Sequence, residues 1–203
     1  SAQGGDDGGD GDFGFAGENF NAPQTAGIFS FLNPRKAIRA FTVWKMKDRA
    51  GVVGGNGVHT LLKDLLGASP VLSAHLIGHS YGCKVVLSAA CAGALPREVE
   101  SALLLQPAIN GFCFSSNVAN QGFAGGYRPA FKVIRQPILS THSSHDAPLT
   151  KFFHLAVRRK KDLGEVQIAA IPPSRFAALG GFGPQGCNAT ECKEINILTP
   201  SNR

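Results

Sequence analysis

Ser73-Ala74-His75-Leu76-Ile77-Gly78-His79-Ser80-Tyr81-Gly82-Cys83-Lys84-Val85-Val86-Leu87 is the stretch on which the reading of the fold turns. Ser73 to Ile77 forms a short run bounded by Pro70 and Gly78, which predicts a strand. From Tyr81 to about Gly93 the residues are small and mostly apolar, and they read as a helix. Gly78-His79-Ser80-Tyr81-Gly82 lies at the junction. With 25 glycines in 203 residues, a G-x-S-x-G match is weak taken alone. The strand before it and the helix after it supply the weight.

Working outward, Asn33-Pro34 predicts a helix start, since Asn caps well and Pro suits the first helical position. Ala37, Ile38 and Phe41 share a face of that helix, which runs to about Ala50. Gly51, Gly54, Gly55 and Gly57 then predict a break or bend. Val58, Leu61, Leu62, Leu65 and Leu66 repeat at i, i+3, i+4, i+7 and i+8, a second helix stopped by Gly67. Downstream, Ala102–Leu105 and Pro137–Thr141 read as strands and residues 108–128 as loop. Leu149 to about Asp162 reads as a helix, Val166–Ile171 as a fourth strand and Ile195–Leu198 as a weak one. Strand–helix alternation with continuous apolar strands predicts an α/β fold, a mostly parallel sheet flanked by helices. Residues 1–27 read as a flexible Gly/Asp-rich leader and 28–203 as the core.

The pentapeptide has a chemical logic. A tight strand-to-helix turn strains its central residue, and Gly78 and Gly82 would relieve crowding by lacking Cβ atoms. Ser80 would then lift its Oγ above the carboxyl edge of the sheet. The Tyr81 N–H, at the helix start, would point to where a tetrahedral oxyanion forms, with the helix dipole favouring that charge.

His75-Leu76-Ile77-Gly78-His79-Ser80-Tyr81-Gly82 resembles the nucleophile elbow of α/β-hydrolases, lipases and esterases especially. The resemblance covers about residues 37–171 and is strongest over 75–93. It implies a three-layer sandwich, truncated here at both ends, with 73–77 as its central strand. It also implies Ser80 as nucleophile, Tyr81 as oxyanion donor, an acid after a later strand and a histidine after the last strand. His142-Ser143-Ser144-His145-Asp146-Ala147-Pro148-Leu149 resembles the acid loop, with Asp146 orienting the histidine. The alternative is that Asp146 only caps the following helix, with Pro148 in its first turn.

The histidine is the gap. None of the six lies after His154. His75 stands at the far end of its strand, His79 at the variable position of the elbow, and His59 on an early helix. The base is therefore expected beyond Arg203, with His145, and beside it His142, as the candidates within the chain. Residues 1–33 offer no His-Gly sequence for a second oxyanion donor.

Composition sets outer bounds. Hydrophobic residues make up 43% and charged residues 17%, which suits a packed domain rather than a disordered chain. No apolar run reaches the ~18 residues of a membrane span. The acidic, Gly-rich start does not read as a signal peptide, and the cytoplasm is favoured. Residues 1–18 carry five acidic and no basic side chains, leaving 20 basic against 9 acidic in the rest. Arg158-Arg159-Lys160-Lys161 reads as a solvated helix end rather than a nucleic-acid patch. Cys83, Cys91 and Cys113 read as small core residues, while Cys187 and Cys192 would pair in an oxidising compartment. Neither a metal site nor a cofactor is expected.

The function that follows from the resemblance is a serine hydrolase cleaving a small-molecule or lipid ester through an acyl-enzyme on Ser80. The alternatives are a non-catalytic scaffold of the same fold, an inactive fragment of a longer hydrolase, or a thioesterase or peptidase. Ile109, Phe112, Phe114, Phe123, Tyr127 and Phe131 read either as a cap over an acyl pocket or as a loop packed on the sheet.

Overall fold

The computed structural model describes residues 45–153 and 176–195. The expectations at 1–27, 33–44, 158–161 and 166–171, and at His154, fall outside these residues.

The first described helix, α1, covers 45–53. It does not break at the glycines. Gly54–Val58 forms a π-helical turn that leads straight into α2, His59–Ala68. The reason is packing. A Cβ on Gly54 would stand 2.3 Å from the Val85 carbonyl oxygen and 2.8 Å from the Ser88 Cβ. Glycine there lets the wide turn lie directly on the helix that follows Ser80. The apolar stripe of α2 is narrower than its repeat predicts. Leu62 and Leu66 are buried, but Leu61 and Leu65 are 57% and 44% exposed. Gly67 sits inside the last turn rather than ending it. The Arg97 guanidinium closes that end instead, donating to the carbonyls of Leu66 (3.0 Å), Ser69 (2.7 Å) and Pro70 (3.3 Å). Carbonyls at a helix end have no partner within the helix, and a cation suits the dipole there.

Among the described residues, three strands form one parallel sheet in the order β1-β2-β3. They are β1 His75–His79, β2 Ser101–Leu105 and β3 Leu139–Ser140. The first therefore starts and ends two residues later than expected, because its pairing with β2 runs from His75↔Ser101 to His79↔Leu105, up to the turn itself. The third is shorter than expected. The resemblance implied a central strand before Ser80; among the described residues β1 is an edge strand and β2 is central.

Between β1 and β2 lies α3, Tyr81–Cys91. Strand alternation divides the sheet into two unlike faces. Leu76, Gly78, Ala102 and Leu104 belong to the face packed with α3. Leu62, Leu66, Cys83, Leu87, Ala89, Ala90, Ala102 and Leu104 share one core there. The other face carries Ile77, 65% exposed, and Leu139, 60% exposed.

The stretch 108–128 packs on the sheet. It holds two 3-10 turns, Gly111–Phe114 and Val118–Asn120. Ile109 and Phe114 are buried in the main core, and Tyr127 packs against it. Phe123 and Phe131 are exposed at the surface. A short helix, α4 Ala130–Val133, leads on to β3. The last described element, α5 Leu179–Phe182, contributes Leu179 to the same core.

All five cysteines are free thiols. Burial pushes the Cys83 and Cys91 thiols up to about 11. Cys187 and Cys192 lie within hydrogen-bond reach, and burial together with that neighbour raises Cys187 to about 12. No helix among the described residues is long and apolar enough to cross a membrane.

Candidate functional site at the carboxyl edge of the sheet

All three strands run the same way, so the segments that follow them leave from one edge. Ser80 follows β1, Gln106 follows β2, and Thr141 with the loop to Asp146 follows β3. In open parallel sheets, this carboxyl edge is where ligands bind.

Ser80 is the cap between β1 and α3, with φ 53° and ψ −120°. That conformation lies outside the wells open to an L-residue and costs ~1–3 kcal/mol. Neighbouring backbone enforces it. The Ser80 N–H donates to the Leu105 carbonyl (3.0 Å), and its own carbonyl accepts from the N–H groups of Cys83 and Ala108 (both 3.2 Å). The side chain makes no capping bond and the residue is half-buried.

The two glycines of the pentapeptide are not equivalent. A Cβ on Gly78 would lie 2.7 Å from both the Cα and N of Cys83, and 2.8 Å from the Gly82 carbonyl carbon. Those are backbone atoms of the same turn, so nothing larger fits. A Cβ on Gly82 would meet nothing within 4 Å. The expectation of crowding at both glycines is corrected for Gly82, which sits in the first turn of α3 facing open space.

His79 is exposed, on the sheet face away from α3. Tyr81 heads α3, where N–H groups lack intrahelical acceptors. Its ring packs against the cluster of Ala108, Leu149, Phe153 and Ala178. Leu149 lies three residues past Asp146, so that cluster joins the Ser80 turn to the loop after β3.

Asp146 takes the capping role. Its Oδ1 accepts from the Leu149 N–H (3.0 Å), and its carbonyl accepts from the Thr150 N–H (2.8 Å) and Oγ1 (2.7 Å). These bonds start the π-helical turn Pro148–Phe152. His145 is exposed, with its N–H on the Ser143 Oγ (3.2 Å). The His142 ring is half-buried against Gly183, and its Nε2 faces the Glu194 Oε1 at 3.4 Å. His59 and His75 point elsewhere, the former to the Ala89 carbonyl (2.7 Å) and the latter to the Ser101 Oγ (2.8 Å). No hydrogen bond among the described residues joins Ser80 to Asp146 or to a histidine. β1 and β3 are two strand spacings apart, ~10 Å.

Two features of this edge had no signal in the local sequence. One is the segment around α5. The Gly180 N–H donates to the Pro107 carbonyl and the Gly180 carbonyl accepts from the Ser143 N–H, both at 2.9 Å. The tail thus ties the loop after β2 to the loop after β3. The other is Gln106, whose φ is +44° and whose Oε1 is buried with no hydrogen-bond partner among the described residues. Among the described residues, no group of three or more His, Cys, Asp or Glu is placed to hold a metal ion.

Compared with protein-family models, with curated proteins and with solved structures, the chain matches none.

Proposed function

We propose that this chain carries the nucleophile of a serine hydrolase of the esterase or lipase type, built on an α/β-hydrolase-like sandwich. The observation that carries the reading is the Ser80 backbone, at φ 53° and ψ −120° between a parallel strand and a helix. A strained turn whose hydroxyl makes no capping bond serves chemistry better than it serves packing.

In this reading the Ser80 Oγ attacks the carbonyl carbon of an ester while a base takes its proton. The tetrahedral intermediate collapses, the C–O bond to the alcohol breaks, and the alcohol leaves with that proton. Water then attacks the acyl-enzyme and releases the acid. The Tyr81 N–H stabilises the oxyanion, a contribution of ~10²–10³ in rate for one such donor. Asp146 combines its capping bond with orientation of the base. Of the described histidines, His142 shares this edge and faces a carboxylate.

A second reading is a binding scaffold of the same architecture. It is favoured by the absence of any hydrogen-bonded Ser–His–Asp relay among the described residues.

A fluorophosphonate probe separates the two. The expected result is one adduct, mapped to the peptide containing Ser80 and lost in Ser80→Ala. A folded protein that resists the probe across pH 6–9 identifies the scaffold instead.

A further inference from the structure

From Lys45 to Ala68 the chain is helical without a break, through α1, the π turn and α2. One side of this rod packs towards α3 through Gly54, Leu62 and Leu66. Beside it runs a second apolar stripe. Met46, Val53, Leu61 and Leu65 are between 44% and 57% exposed, and Gly57 among them is exposed as well. Apolar side chains exposed in a row mark an interaction surface, as scattered single ones do not.

The π turn is what aligns them. Val53, Gly57, Leu61 and Leu65 recur every four residues. In a regular α-helix each step of four drifts ~40° around the axis. The wider π turn holds more residues per revolution, so its step of four falls short of a full circle and takes drift back. Met46, seven residues before Val53, falls within ~20° of it.

The stripe is nearly symmetric about Gly57. Val53 lies four residues before it and Leu61 four after; Met46 and Ala68, both exposed, lie eleven before and eleven after. A two-fold axis at Gly57 therefore lays two copies antiparallel with apolar residues on apolar residues. A Cβ on Gly57 would meet nothing within 4 Å, and a small residue at the crossing lets two helix axes come close. Charge fits the same arrangement. Arg49 stands four residues before Val53 and Asp64 three after Leu61, both exposed, and both steps turn to the same flank of the stripe. In an antiparallel two-fold pair, like flanks meet. Arg49 lies eight residues before Gly57 and Asp64 seven after, so Arg49 of one copy falls beside Asp64 of the other, twice over. Opposed helix dipoles favour the same alignment.

We infer that this chain forms a two-fold homodimer through the Met46–Leu65 stripe, with the helices antiparallel, crossing at Gly57, and paired Arg49–Asp64 contacts on one flank. The inference goes beyond the serine-hydrolase reading and does not depend on it.

The test is sedimentation of the full chain across a micromolar concentration series. The wild type is expected to move from the mass of one chain, 21.3 kDa, to twice that. Leu61→Lys, which sets a charge on the stripe, is expected to stay at one chain throughout. Arg49→Glu, which faces Asp64 of the other copy with a like charge, is expected to weaken the dimer at least tenfold. Adding Asp64→Arg to it restores the opposite pairing and is expected to recover the dimer. All three positions are exposed, so the variants are expected to keep the wild-type circular dichroism. A wild type that stays at the mass of one chain assigns the stripe to another segment or to a different protein, and overturns the inference. A dimer indifferent to Leu61→Lys places the interface elsewhere and overturns it too. Loss in Arg49→Glu without recovery in the double variant overturns the antiparallel register.

Discussion

Ser80 and Gly78 depend on each other. The serine adopts its unfavourable backbone only because α3 begins within one residue of the end of β1, and that closeness requires a missing Cβ at Gly78. The Gly78→Ala substitution presses a methyl into backbone atoms at 2.7–2.8 Å, and the cost expected for overpacking is ~1–3 kcal/mol or more. At ~2–4 °C per kcal/mol for a chain of this size, a thermal melt resolves the loss. Gly82→Ala is expected to behave in the opposite way. It meets open space within a helix, where Ala is favoured over Gly by ~1 kcal/mol, so its melting temperature should stay level or rise. Equal damage from both substitutions would contradict the geometry. The G-x-S-x-G pattern made the turn legible but made its glycines look alike. Only the position of Cys83 separates them.

At the scale of elements, the continuous path from α1 through the π turn into α2 shows why composition misleads. Four glycines in seven residues look like a breaker. Gly54 instead allows close approach to α3, with Val85 and Ser88 directly beneath it. Gly54→Ala is therefore expected to push the two helices apart at ~1–3 kcal/mol. Gly57→Ala, where an added Cβ meets nothing within 4 Å, serves as its control in the same denaturant titration. The narrower stripe on α2 has a related cause. Leu61 and Leu65 repeat correctly, but the partner surface formed by α3 covers only the Leu62–Leu66 side. Asp146 also belongs to this scale, since a carboxylate two residues before Pro148 is as suited to starting a helical turn as to orienting an imidazole. The local sequence supports both uses, and the structure shows the cap.

Across the whole molecule, the core is lined with thiols, and that gives it a directional pH response. Cys83 and Cys91 are held up to about 11 by burial, above the ordinary thiol value of ~8.5. A raised folded-state pKa means that the unfolded chain ionises first. The stabilising contribution is complete below ~8.5 and is lost as pH climbs towards about 11. Melting temperatures measured from pH 8 to 11 should fall across that window, and the fall should be shallower in Cys83→Ala after allowing for its lower starting stability. A flat profile would mean that these thiols are wetter than their burial indicates. The acidic side has surface pairs: Gln136 and Arg135 lower Glu100, and Arg128 lowers Glu191.

The amino-acid sequence by itself determined the local alternation of apolar strands and helices, the parallel α/β class and the strained turn at Ser80. These follow from interactions a few residues long: strand runs, helical spacing and a glycine two places before a serine. Only the tertiary structure decided that β1 lies at the edge of the described sheet, that Arg97 closes α2 and that the Gln106 N–H is tied to Thr141. It also decided that the segment around Gly180 joins the loops beside Ser80. Each of these depends on residues about 20 to 75 positions apart in the chain, and side-chain types carry no record of such distant neighbours until the chain has folded.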